Sequence, residues 1–218
     1  MKKILFALVI FVIVFLIYSF NINKKVYYLS LGDYLSYGIN NNKIVNNTYS
    51  NNLREYYKDN LENYVNYSVL DDYRVMDLYN DITSNKKIKF KNKKYNIQNL
   101  LIKANLITIS IGMNDLLYKI EYSNNMYDYT DELLNDIEKL LVLIRKYNKD
   151  KIYVLGFYNI IDDLELINYA NLKLNKICNQ YKVVYVDISN LDKYILKDRY
   201  PTNDGYTYIS NQILNFTK

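Results

Sequence analysis

Histidine does not occur anywhere in this 218-residue chain. Its absence removes the side chain that most often acts as general base near neutral pH, and the most common metal ligand. Cysteine occurs once, at Cys178, which excludes an intrachain disulfide and any multi-cysteine metal site. Cys178 falls in a helical pattern, where a lone thiol reads as a small buried apolar residue. Tryptophan is absent, proline occurs once (Pro201), and glycine only five times. No charge of one sign dominates. The net charge is +5, and without Lys2 and Lys3 the balance is 26 basic against 23 acidic residues. That is too little to argue for nucleic acid, and permits at most a weak attraction to anionic lipid or wall polymer.

What is present is tyrosine, 27 residues of it against 7 phenylalanines. Asn, Lys and Ile are abundant as well, a set that matches AT-rich codons and asks for no functional account of the tyrosines together. The length suits one domain with a sizeable core. An apolar share of 50% and a charged share of 23% are ordinary for a globular chain.

Ile4 to Phe20 is apolar except for Tyr18 and Ser19, with Lys2 and Lys3 before it and Lys24 and Lys25 after it. At 1.5 Å per residue it spans about 25 Å, slightly less than a hydrocarbon core of about 30 Å. No small-x-small cleavage site follows it, and no cysteine stands at its end for lipid attachment. The expectation is an uncleaved signal anchor with its linker over 1–25, followed by one domain over 26–218. That makes the chain a single-pass cell-membrane protein with its domain outside. The flanking lysines balance, so charge alone does not set the orientation.

Beyond the linker, strand-like and helix-like periods alternate. Strands are expected at Val26–Leu31, Tyr64–Val69, Leu106–Ile111, Ile152–Phe157 and Val183–Ile188. Helices are expected at Tyr49–Lys58, Asp77–Ile82, from a Thr130 cap through Ile144, along Ile167 to Ile177, and over Gly205–Phe216. Lys86–Lys94 reads as a basic loop or hairpin. Strands separated by helices imply parallel pairing, giving an α/β three-layer αβα sandwich with a mostly parallel sheet. Ligands bind such sheets at the carboxyl ends of the strands, so the turns after Leu31, Ile111, Phe157 and Ile188 are the places to look. In a chain so poor in glycine, Gly32 and Gly112 each directly follow a buried strand, a position that suits positive φ or close backbone approach.

Leu31-Gly32-Asp33-Tyr34-Leu35-Ser36 resembles the first motif of SGNH (GDSL) hydrolases, Gly-Asp-Ser-Leu after the first strand. Ile111-Gly112-Met113-Asn114-Asp115 resembles their Gly-x-Asn-Asp motif. Tyr200-Pro201 with Gly205-Tyr206 is similar to the last motif, His-Pro-x-x-x-Gly-Tyr. Ala104–Leu117 and Val154–Asn159 look like the membrane-anchored bacterial branch. The resemblance runs in order from Val26 to the C-terminus.

In that family a serine is the nucleophile and a histidine the base, oriented by an aspartate. The serine N–H, a glycine and the third-motif asparagine form the oxyanion hole, and the substrates are esters, thioesters or carbohydrate acetyl groups. By this resemblance Tyr34 replaces the nucleophile, Tyr200 the base, and Asp72 the oxyanion glycine, while Asn114 is retained. Asp198 lies near the triad aspartate, but two residues before Tyr200 rather than three, where Lys197 sits.

A phenol, with a pKa of about 10, is a poor base and a poor nucleophile at neutral pH. The resemblance therefore implies a catalytically degenerate member, without cofactor or metal, that binds a cell-envelope glycan, an acyl ligand or an envelope protein. Asp33, Asp72, Asp115 and Asp198 are candidates for an acidic cation pocket, although Asp33 and Asp115 in such turns more often fix loop geometry. Two rivals remain: an active ester or O-acetyl hydrolase rewired through Ser36 and Asp198, and a pure interaction module.

Overall fold

The computed structural model describes residues 25–40, 43–69, 72–120, 125–195 and 200–217, with Phe6, Ile10 and Phe11. The apolar segment read as an anchor and Asp198 lie outside the described residues, as does Lys197. Among the described residues no helix is long and apolar enough to cross a membrane.

In chain order the elements are β1 (Val26–Gly32), α1 (Tyr34–Tyr37), β2 (Ile39–Asn40), β3 (Lys43–Ile44), α2 (Tyr49–Tyr56) and β4 (Leu61–Ser68). There follow α3 (Val75–Thr83), β5 (Lys87–Phe90), β6 (Lys93–Asn96), α4 (Ile97–Lys103), β7 (Leu106–Ser110) and α5 (Met113–Ile120). The chain continues through α6 (Met126–Tyr147), β8 (Lys151–Leu155), α7 (Leu164–Gln180), β9 (Val184–Val186), a 3-10 turn (Ser189–Tyr194) and α8 (Asn203–Leu214).

Five strands form one sheet in the order β4-β1-β7-β8-β9, and every pairing in it is parallel. The chain winds outward from β1 to β4, then returns to β7 on the other side of β1. The topological switch point therefore lies between the carboxyl ends of β1 and β7, where crevices open in such sheets. Helix α2 packs on α8, while α3, α4 and α7 pack on α6. With both faces covered, β7 carries five buried residues in a row, as an all-parallel sheet requires.

The two faces of the sheet differ in chemistry. Leu29, Leu31, Ile107 and Ile109 are apolar and buried. Tyr28, Ser30, Thr108 and Ser110 alternate with them; Thr108 bonds Tyr28 and Ser30, Ser30 also meets Tyr49 of α2, and Ser110 meets Ser36. Each hydroxyl both donates and accepts, so a run of them satisfies itself without charge.

The structure bears out the hairpin expected of the basic stretch and departs from expectation at other elements. The second strand begins at Leu61 rather than Tyr64, because backbone pairing of Val26 with Leu61 extends it across polar residues. The basic stretch is a hairpin of β5 and β6, turning through Lys91 at φ 53°. Thr130 is not a cap. The helix starts a turn earlier behind Asn125, whose side chain accepts from the Asp128 N–H at 3.3 Å, and Thr130 donates back to the Met126 carbonyl at 2.8 Å. Helices α4 and α5 were not anticipated; each is only about two turns long, too short for a clear period.

Candidate functional site

The end of β1 is built around Gly32. It lies at φ +145°, and a Cβ there would stand 2.0 Å from the Ser110 carbonyl oxygen of β7. Any side chain would push β1 and β7 apart at the topological switch point. The next residue ties the same two strands together: the Asp33 N–H donates to the Ser110 carbonyl at 2.9 Å. One carboxylate oxygen of Asp33 accepts from the Leu35 N–H and the Ser110 hydroxyl, each at 3.2 Å. The other is buried with no partner among the described residues. Burial pushes this carboxyl up to about 7 against those two hydrogen bonds, with a further push from the charge of Asp115. Asp33 thus caps α1 and fixes the turn, as a loop-organising aspartate does.

Asp33 delivers Tyr34 into the interior at the head of α1. The Tyr34 ring is fully buried, and its hydroxyl lies 2.6 Å from that of Tyr158, equally buried in the segment after β8. Tyr200 meets Tyr34 edge-on, with ring centroids 5.6 Å apart at 81°, a favoured aromatic geometry. The two positions that the resemblance aligns with nucleophile and base are therefore in contact, and Tyr158 joins them. No role was read for Tyr158 from the sequence; the signal was its place just past a strand end already marked for inspection. Behind them the buried Tyr206 accepts from the Ile39 N–H and donates to the Ile39 carbonyl, both at 2.9 Å. This pins the segment after α1 to α8.

On the far side of Gly112 (φ +103°), α5 carries Asn114 and Asp115. The Asn114 amide donates to the Tyr73 carbonyl at 3.1 Å, and Asp115 accepts from the Val75 N–H at 3.2 Å. Burial raises the Asp115 carboxyl to about 7, against that N–H and the charge of Arg74. Both residues thus hold the entry to α3. Asp72, just before it, is exposed and has φ +42°. This is left-handed backbone that glycine adopts freely and that aspartate tolerates better than most residues. Tyr73 is anchored in turn through Asp81, which accepts from Tyr73 at 2.7 Å and from Tyr67 at 2.5 Å.

Ser36 is fully buried beneath the site. Its hydroxyl donates to the Leu31 carbonyl at 3.2 Å and lies 2.5 Å from the Tyr49 hydroxyl and 2.8 Å from that of Ser110. These neighbours are neutral hydroxyls and a carbonyl, so they hold Ser36 in the hydroxyl network and offer no basic group to take its proton. Among the described residues, no three Asp, Glu or Cys side chains are grouped to hold a metal ion. Asp33, Asp72 and Asp115 are thus not grouped in this way, and Asp198, the fourth acid weighed from the sequence, lies outside the described residues. What the site presents is a buried aromatic cluster, where a seryl nucleophile and an imidazole would need hydrogen-bond contact.

Residues 28–212 match the family described as GDSL-like Lipase/Acylhydrolase. No curated protein matches the chain. Among solved structures, a mutant of an acetyl-xylooligosaccharide esterase from Geobacillus stearothermophilus is similar at 17% identity and a TM-score of 0.63, covering 86% of this chain and 92% of that one. A lipolytic protein of the G-D-S-L family from Veillonella parvula is similar at 14% identity and a TM-score of 0.62, covering 88% and 98%. An extracellular lipase from Streptomyces rimosus is similar at 14% identity and a TM-score of 0.60, covering 88% and 99%. At these identities the likeness shows a shared fold.

Proposed function

The chain belongs to the GDSL-like lipase/acylhydrolase family, and from that premise we propose that it is a non-catalytic member, anchored in the cell membrane, that binds an envelope glycan, acyl ligand or protein partner. The observation that carries this reading is the contact of Tyr34 with Tyr158 and Tyr200 at the switch point of the sheet. A phenol, with a pKa of about 10, is a poor nucleophile and a poor base at neutral pH. A chain without histidine has no imidazole to offer from elsewhere. Loss of the nucleophile or base of a triad costs on the order of a million-fold in turnover in a serine protease. Both positions are changed here.

The remaining framework supports a binding role. Gly32, Asp33, Gly112 and Asn114 keep the turns on both sides of the crevice in place. Of the cluster, Tyr200 alone is partly exposed among the described residues, and such a ring is suited to stacking on a sugar or to a quaternary ammonium group. The acetyl-xylooligosaccharide esterase among the structural neighbours makes an acetylated glycan the first ligand to try.

The test is fluorophosphonate labelling of the full chain in detergent, read by intact mass, beside hydrolysis of a chromogenic acetyl ester. The expected outcome is no serine labelled and no turnover above buffer. Stoichiometric labelling of any serine, Ser36 included, would overturn the proposal.

A further inference from the structure

Because all five strands run parallel, they begin at one end of the sheet, opposite the tyrosine cluster. The approaches to the strands at that end are basic. Lys25 precedes β1, Lys58 lies in the turn before β4, Lys103 ends α4 before β7, Lys149 and Lys151 flank the start of β8, and Lys182 precedes β9. All six are exposed. Against them stand Asp59, Glu62, Asp150 and Glu55, the last paired with Lys58 at 3.2 Å. Around the opposite ends of the strands the exposed charge is mostly acidic: Asp72, Asp162, Asp163, Asp187 and Asp192 lie there against Arg74 and Lys193.

Lysines at helix C-termini complement the macrodipole, which accounts for part of this charge. It does not account for three apolar residues exposed at the same end. Tyr56 in the last turn of α2, Ile102 in that of α4 and Phe216 just after α8 are 57%, 59% and 49% exposed. Beside them opens a pocket of about 250 Å³ lined by Lys25, Lys151, Asn60, Asn105, Tyr57 and Tyr153 among others. Tyr153 is fully buried, and its hydroxyl has no hydrogen-bond partner among the described residues. The apolar sequence Ile4–Phe20 enters the domain at this same end, through Lys25 into β1.

We propose that this end of the domain rests on an anionic bilayer surface. The lysines lie over lipid phosphates, and Tyr56, Ile102 and Phe216 reach into the headgroup region. Juxtamembrane clusters of about four to eight basic residues bind anionic leaflets, and aromatic residues favour the membrane–water interface. The acidic, tyrosine-lined end then faces away from the membrane, toward the envelope. The inference rests on the anchoring reading above and is independent of catalysis.

The chain has no tryptophan, so one introduced tryptophan reports its own surroundings. The full chain carrying Ile102→Trp, or Leu164→Trp at the start of α7 on the far end, is reconstituted into vesicles containing acyl-brominated lipid. The vesicles are made with phosphatidylcholine alone or with added phosphatidylglycerol. In anionic vesicles the Ile102→Trp variant should shift to the blue and be quenched about twofold or more above Leu164→Trp, and high salt should reverse this. Adding Lys103→Glu, Lys149→Glu and Lys151→Glu together should abolish the difference while a circular dichroism melt shows the domain folded.

Equal quenching at both positions would overturn the proposal, as would equal behaviour in neutral vesicles. So would a difference that inorganic phosphate abolishes at matched ionic strength, since the pocket would then take free phosphate. Alkaline carbonate extraction reports the anchor separately: release of the chain refutes anchoring, and the quenching asymmetry measured beforehand still decides the face.

Discussion

Asp33 and Asp115 are the residues whose ionisation the fold resists most clearly at the site. Burial raises both carboxyls to about 7, from an ordinary value of 3.8. The folded chain therefore keeps protons that the unfolded chain has released, and the stability they contribute is complete below about pH 4 and lost as pH rises through about 7. Each carboxyl contributes at most about 4 kcal/mol to that decline, since one pKa unit is worth about 1.4 kcal/mol. Asp131 works in the other direction, held down by Lys173, but it is exposed and titrates below this window. With no histidine in the chain, no imidazole obscures the result. Melting followed by circular dichroism from pH 4 to 8 should show a falling Tm. Asp33→Asn, which keeps the capping oxygen, should flatten much of the slope; an unchanged slope would show that Asp33 is ionised throughout.

Elements are joined at their ends by buried polar side chains, and Asn148 is the clearest case. It follows α6, is 2% exposed, and donates to the carbonyls of Leu101 and Ala104 at 2.7 and 2.6 Å. It thereby closes the C-terminus of α4, whose last carbonyls have no helical partner. Its side-chain amide oxygen accepts from the Asp150 N–H at 2.9 Å and shapes the turn into β8. Asn148→Leu keeps the volume but leaves these buried groups unpaired, at an expected cost of about 2–5 kcal/mol. Urea unfolding should show the midpoint fall accordingly. Asn179→Ala, on the exposed face of α7, should change stability by no more than about 0.5 kcal/mol.

At the scale of the whole molecule, β7 is the middle strand of five and carries the load of both helical layers. Ile107 is fully buried there. Truncation to alanine removes apolar contacts and leaves a cavity that a strand fixed on both sides cannot close, so Ile107→Ala should cost about 2–5 kcal/mol. Val142→Ala, at a position 37% exposed on α6, should be nearly neutral in the same thermal unfolding experiment. The molecule is also polar end to end, with basic residues where the strands begin and acidic ones where they finish. That polarity separates the membrane-facing surface inferred above from the end that holds the tyrosine cluster.

Much of this was legible in one dimension. Apolar β-branched runs between helical periods gave the strands and their parallel order of chemistry, because burial on both faces of a sheet needs unbroken hydrophobic stretches such as Leu106–Ser110. The rarity of glycine marked Gly32 and Gly112, since left-handed backbone and close approach exclude side chains. The absence of histidine and the tyrosines at the motif positions bore on proton chemistry before any coordinates did. Other features depended on residues far apart in the chain meeting in space. Tyr34 finds Tyr158 across 124 residues, and Asn148 finds Leu101 across 47. Neither separation has a period, so no local pattern announces it. The burial that raises Asp33 and Asp115, and the gathering of lysines at one end of the sheet, exist only once parallel pairing has brought the strand ends together.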